Sequence, residues 1–167
     1  ELDELLLGEE LDQLDAAEVV AEILAEDARV AAAVQACTDR IGQVVDLFVA
    51  ALAAGGAVHY VGAGTSGRLG VLDAVELLPT SGLSPDQVIG HMAGGQRAFE
   101  RAVEGAEDSP ELGAAELKEA GEHDLVIGIA ASGRTPYVAG ALAEARRRCL
   151  PTALISTKPR APLAELA

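Results

Sequence analysis

No stretch of this chain approaches the roughly 20 consecutive apolar residues that a helix needs to cross a bilayer, and no basic segment followed by an apolar run opens it. Both lacks point to a soluble, cytoplasmic protein. Basic residues are scarce too: 12 Lys and Arg stand against 27 Asp and Glu, for a formal net charge of −15. Such a chain repels nucleic acid and anionic membranes and has no basic stripe to track phosphates, so neither is expected as a partner. Cysteine is limited to Cys37 and Cys149, far apart in helical patterns and without a CxxC pair. Buried free thiols are the expectation. His59, His91 and His123 share no metal-ligand spacing with cysteine or carboxylate, which makes them structural histidines and predicts no metal site.

What is present suits one α/β domain: 167 residues, half of them hydrophobic. Residues 1–55 read as an N-terminal helical segment rich in Ala, Glu and Leu. The periodicity predicts a short helix around Ala16 to Ala25 and a second around Ala28 to Ala54, which would be about 40 Å long. From residue 56 to 167 the texture changes. Short β-branched runs, "AVHYV", "QVIGHMA", "DLVIGIA" and "TALIS", each precede a helical stretch. That alternation predicts a parallel sheet with helices on both faces, since parallel neighbours need crossovers. The sequence starts at Glu1 without Met and stops at "APLAELA" with no closing strand. Further residues are therefore expected at both ends, and the 56–167 domain is expected to be incomplete at its C-terminus.

Two of the turns match. "VGAGTSGR" follows the first strand and "IGIAASGR" the third, each delivering Ser-Gly-Arg at the start of a helix: Ser66-Gly67-Arg68 and Ser132-Gly133-Arg134. In a parallel sheet both emerge at the carboxyl edge, where open α/β folds bind ligands. The first also spells Gly62-x-Gly64-x-x-Gly67, the nominal dinucleotide fingerprint. That reading wants a carboxylate at the end of the second strand to hold a ribose, and the strand ends "MAGGQ". Paired hydroxyls and backbone N–H groups fit a phosphate monoester better. The candidate binding residues are Thr65, Ser66, Gly67, Arg68, Ser132, Gly133, Arg134 and Thr135. Arg68 and Arg134 could equally be solvated first-turn side chains, and the hydroxyls carry the reading.

The segments "GAGTSGRLGVLDA.E..PT", "AGG..A...AVEGAED" and "GIAASGRTPYV.GAL" resemble the N-acetylmuramic acid 6-phosphate etherase family of sugar-isomerase-type (SIS) domains, from about Glu26 onward. The resemblance implies a three-layer αβα sandwich, a homodimer with sites near the subunit interface, and no metal or organic cofactor. It implies cleavage of the D-lactyl ether at C3 of the sugar, giving N-acetylglucosamine 6-phosphate and D-lactate. The open-chain aldehyde acidifies the C2 proton, lactate is eliminated, and water adds to the unsaturated intermediate. The family's two catalytic glutamates fall on Glu76, as general acid to the departing lactyl oxygen, and Glu107, as second acid/base, with Glu104 as a nearby rival.

The chain departs from the family around Glu76, reading Val75-Glu76-Leu77-Leu78-Pro79-Thr80 where Ser-Glu-Cys-Pro-Pro-Thr is usual, and "STKP" near Lys158 replaces a Cys-Asn pair. On a straight helix Glu76 would also lie about 15 Å from Ser66. Either the helix breaks early, at Pro79 or after Gly70, or Glu76 serves a site shared across a dimer. Tyr137 is expected to pack at a helix start. Two other activities share the loops: a non-catalytic sugar-phosphate sensor like the glucokinase regulatory protein, and an aldose–ketose isomerase.

Overall fold

The computed structural model describes residues 13–101 and 103–167. It divides into a first unit ending at Val44 and a second running from Val45 to Ala167. Helix α1 (Ala16–Gln35) starts at a capping box: the Asp15 carboxylate accepts from the N–H groups of Ala17 and Glu18, and the Glu18 side chain accepts from the Asp15 N–H. Helix α2 (Thr38–Ala53) follows. The expected break near residue 26 is corrected to Ala36 and Cys37. There the Cys37 N–H tightens onto Val34 O and the Thr38 hydroxyl donates to Gln35 O at 2.6 Å, ending the first helix. Both helices are therefore of ordinary length, and the second is not the 40 Å rod the periodicity suggested. α1 buries none of its residues, and Val20, Ile23, Val30 and Val34 are exposed along it.

The four expected strands all form: β1 (Val58–Gly62), β2 (Val88–Met92), β3 (Leu125–Ile129) and β4 (Thr152–Ile155). They pair in parallel in the order β2-β1-β3-β4. Helix α3 (Gly64–Ser81) covers one face. A Cβ on its Gly70 would meet Tyr60 and Ile129, and one on Gly90 of β2 would meet Val71 of the helix. Helix α6 (Pro136–Arg147) covers the other face, with Val138 and Leu142 over Gly128. Two shorter helices, α4 (Arg97–Glu100) and α5 (Pro110–Ala115), lie between β2 and β3 in the chain. The result is an α/β, three-layer αβα arrangement, as read from the sequence. Its core gathers Val61, Val126, Leu117, Val138, Ala141 and Leu142, none more than 0 % exposed. By the usual yardstick each such side chain contributes about 1.5–3 kcal/mol relative to exposure, the alanine less.

The thiols depart from expectation. Cys37 and Cys149 are both exposed, because each occupies a turn that closes a helix. Cys149 even takes a left-handed backbone (φ 60°) just past α6. Among the described residues no helix is long and apolar enough to cross a membrane.

Helices α5 and α6 cross through glycines. A Cβ on Gly140 would fall 1.8 Å from Pro110 O, and one on Gly113 would fall 1.8 Å from Tyr137 O. Gly140→Ala should therefore lower stability by about 1–3 kcal/mol through overpacking. Gly42→Ala, inside α2 with nothing within 4 Å, should leave it unchanged or raise it by up to about 1 kcal/mol. Urea unfolding of the two variants against the parent checks the pair.

Candidate functional site

β1 and β3 are hydrogen-bonded neighbours, with Gly62 level with Ile129. Both Ser-Gly-Arg turns therefore leave the same sheet edge side by side. The first is shorter than a loop. Only Ala63 separates β1 from α3, so Thr65, Ser66, Gly67 and Arg68 lie in the opening turn of the helix. Ala63 offers no side-chain cap, which leaves first-turn N–H groups facing the edge. The glycine fingerprint has a packing cause: a Cβ on Gly67 would come within 2.7 Å of Gly62 O and 3.0 Å of Met92 Cγ. It lets the helix seat against the strand end, the part of the dinucleotide motif that needs no dinucleotide.

The second turn, Ala130 to Thr135, is braced from its far side. The hydroxyls of Ser156 and Thr157, just beyond β4, both donate to Ala131 O, at 3.0 and 2.9 Å. The Leu163 N–H donates to Gly133 O at 3.0 Å. Gly133 itself needs a positive φ (65°) in a space already filled by Ala161. Thr135 precedes α6 without capping it through its side chain, and Pro136 takes the first helical position. Ser132 and Thr135 are half-buried; Arg134 is exposed.

Arg68 turns inward to the chain itself. Its Nη2 donates to Ala98 O at 2.7 Å and its Nε to Phe99 O at 3.2 Å. It thereby pins the segment after β2, whose glycines Gly94 and Gly95 run along the same edge, to the opening of α3. The candidate glutamates lie elsewhere. Glu107 is exposed on a 3-10 turn (Ala106–Asp108) that packs against α6 beside the buried Ala106. Glu104, its rival, is also exposed. Glu76 is exposed on α3, which runs unbroken past Gly70 and Pro79 to Ser81. Pro79 sits in the last turn, where it removes one backbone bond, and the Thr80 hydroxyl donates to Glu76 O at 2.6 Å. An early helix break is thus corrected, and within one chain Glu76 stays about 15 Å along the helix from Ser66.

The α6 face of the sheet holds a cluster, running from Asp124 before β3 to His91 near the carboxyl end of β2, that the motifs do not mark. His59 and His91 stack with ring centroids 5.1 Å apart. His59 meets the buried Asp124 and His91 meets Glu116, which also accepts from the Tyr137 hydroxyl. Burial works to raise the Asp124 carboxyl. The Ala57 N–H, the His59 ring and the Gly121 N–H outweigh it and hold the group below the usual carboxylate range. Tyr137 is buried at the start of α6 as expected, and its hydroxyl is pushed up by burial and then by Glu116. Strand parity was the available signal, since parallel register puts His59 and His91 on one face. His123 is exposed near Glu122. Among the described residues no group of three or more His, Cys, Asp or Glu could hold a metal ion.

The sequence model of the glucokinase regulatory protein N-terminal SIS domain matches residues 40–146. An N-acetylmuramic acid 6-phosphate etherase from Aliivibrio salmonicida is 50% identical over 162 residues, covering 96% of this chain and 54% of that protein. Etherases from Serratia proteamaculans and Mycolicibacterium smegmatis are 51% and 53% identical, over 92% and 82% of this chain and 52% and 47% of their own lengths. The chain thus spans about half the length of the curated relatives it matches. A solved phosphoheptose isomerase from Francisella tularensis superposes with a TM-score of 0.67 at 19% identity, over 86% of this chain and 76% of that one, and so shares the fold. With a parallel sheet, twin serine turns at its carboxyl edge and these matches, the chain belongs to the SIS-domain family and is about half-identical to N-acetylmuramic acid 6-phosphate etherases over most of its length.

Proposed function

We propose that this chain, within its full-length protein, cleaves the D-lactyl ether of N-acetylmuramic acid 6-phosphate in the cytoplasm, releasing N-acetylglucosamine 6-phosphate and D-lactate. One observation carries the reading: two Ser-Gly-Arg turns sit on adjacent strands of a chain half-identical to etherases over nearly its whole length. The hydroxyls of Thr65, Ser66, Ser132 and Thr135 hold the phosphate, while Gly67 and Gly133, whose N–H groups bond Ala63 O and Ala130 O, keep the two turns tight. Arg68 acts as a positioning residue through Ala98 and Phe99, and Arg134 stands at the rim. The reaction needs proton transfers only. A base removes the C2 proton of the open-chain sugar, the C3–O bond breaks, and the lactyl oxygen takes a proton from Glu76. Water then adds at C3 while a proton returns to C2, with Glu107 as the second acid/base.

The distance from Glu76 to its own serine turn favours a site completed by a second copy of the chain. Leu69 and Leu72 are exposed on α3, and Val75 and Leu78 follow them. At 3.6 residues per turn Glu76 falls between the Leu69 and Leu72 directions. A partner that buried this face would receive Glu76 at its surface, which supports a homodimer with shared sites.

D-lactate release from N-acetylmuramic acid 6-phosphate by the full-length protein is the deciding assay. Glu76→Gln should lower the rate by at least about a hundredfold while phosphate-ester binding survives. Ser66→Ala and Ser132→Ala should each weaken that binding roughly tenfold to a hundredfold. Tight binding by the parent protein without any lactate would instead favour a sensor.

Sharing has its own test. When Ser66→Ala and Glu76→Gln subunits are mixed and reassociated, each heterodimer regains one intact site, and at substrate concentrations too low for Ser66→Ala subunits to bind, activity should return to about a quarter of the parent level. No recovery would mean that both residues serve the same subunit's site.

A further inference from the structure

Four imidazole nitrogens and two carboxylates make an unbroken chain on the α6 face of the sheet. Asp124 Oδ2 lies 2.9 Å from His59 Nε2, His59 Nδ1 lies 2.8 Å from His91 Nε2, and His91 Nδ1 lies 3.1 Å from Glu116 Oε2. The Tyr137 hydroxyl donates to the other Glu116 oxygen at 3.0 Å. Asp124 also accepts from the N–H groups of Ala57 and Gly121, both at 2.7 Å. Each of the three contacts to a ring nitrogen needs one proton, and an ionised carboxylate only accepts. His59 then donates from Nε2 and His91 from Nδ1, and the proton between the two rings belongs to one of them. Two neutral imidazoles supply two protons; the chain needs three.

We propose that the His59–His91 pair holds one proton more than two neutral imidazoles, carried on His91, and that this proton fastens the end of α5 to β2. The competing count places the third proton on Glu116. Donation from Tyr137 to Glu116 favours the ionised carboxylate, and the His91 contact, opposed by burial and aided by Tyr137, keeps this group below the usual carboxylate range. The pair refuses a second charge. Burial lowers His59, and the bond to Asp124 only partly offsets it, with His91 and the Arg148 guanidinium lowering it further. His59, His91 and Glu116 line a pocket of about 680 Å³. Asp86 before β2, Glu119 beyond α5 and Lys118 also line it, so two carboxylates and one ammonium face the pair.

The proton has reach. Glu116 ends α5, whose start lies just beyond the turn that carries Glu107. Tyr137 sits in the first turn of α6, directly after Ser132 to Thr135. Without the proton one of the three contacts is left as two acceptors face to face; where that falls on the longest, 3.1 Å between His91 Nδ1 and Glu116 Oε2, the brace behind the second serine turn loosens. This holds whichever sugar phosphate the turns accept.

The sign follows from proton counting. Unfolded histidines titrate near about pH 6.5. Below that value the unfolded chain binds more protons than the folded pair, so stability falls as pH drops. Above it the folded pair binds more, so stability falls as pH rises until the pair releases its proton. The contribution therefore peaks near about pH 6.5.

NMR of the full-length protein labelled with ¹⁵N-histidine, with ring signals assigned through His59→Gln and His91→Gln, reads the protons directly. Near neutral pH both ring nitrogens of His91 should be protonated, and only Nε2 of His59. Glu116→Gln, whose amide can donate to His91 Nδ1, should release the third proton and flatten the alkaline fall in urea-measured stability. An unprotonated His91 Nδ1 in the parent protein overturns the proposal, as does a Glu116→Gln variant whose ring protons are unchanged.

Discussion

The parallel pairing of β1 with β3 is the constraint on which the rest depends. Neighbouring strands lie about 4.8 Å apart, and with Gly62 level with Ile129 their carboxyl ends open onto one stretch of sheet edge. Parallel direction also points the starts of α3 and α6 at that edge, so two sets of first-turn N–H groups converge with two sets of hydroxyls. An antiparallel partner would send the same motifs to opposite ends of the sheet, and a more distant parallel one would separate them along the edge. The glycines around the edge serve this convergence. Gly67 lets α3 touch the end of β1, and Gly133 lets the second turn fold under Ala161.

A chain with a net charge of −15 can still present an anion site, because the field within a few ångströms is set by local dipoles and donors. The division of labour among the cations follows. Arg68 is engaged with the Ala98 and Phe99 carbonyls, so its role is to hold a neighbouring segment in place. On the α6 face of the sheet the chemistry reverses: imidazoles and carboxylates meet in a chain from Asp124 to Tyr137. The helices that carry Glu116 and Tyr137, α5 and α6, cross at Gly113 and Gly140 with almost no room between backbones. Such contact transmits displacement, since packed interiors yield little.

The outer face of α3 joins fold to chemistry. Its inner face is tied to the sheet through Gly67, Gly70 and Ala74, while Leu69, Leu72, Val75 and Leu78 face outward beside Glu76. An unbroken helix carries that carboxylate away from the serine turn that opens it. A single copy of the chain therefore holds the parts of the proposed site at a distance that a hexose phosphate does not span.

Much of this was legible in the residues alone. Apolar β-branched runs alternating with helical stretches specify a parallel α/β sheet because period and crossover length leave few other solutions, and four of four strands follow them. The paired Ser-Gly-Arg turns were readable for the same reason, being local strand-to-helix junctions. Local signals failed where backbone details compete, as at Ala36 and Cys37, where a threonine hydroxyl ended one helix and exposed a thiol expected to be buried. Only the tertiary structure could bring His59 to His91, Asp124 and Glu116, commit Arg68 to two carbonyls, and keep α3 straight past Pro79. Sequence determines what each segment prefers within a few residues of itself; strand order and register decide which distant side chains share protons, and no local pattern encodes that order.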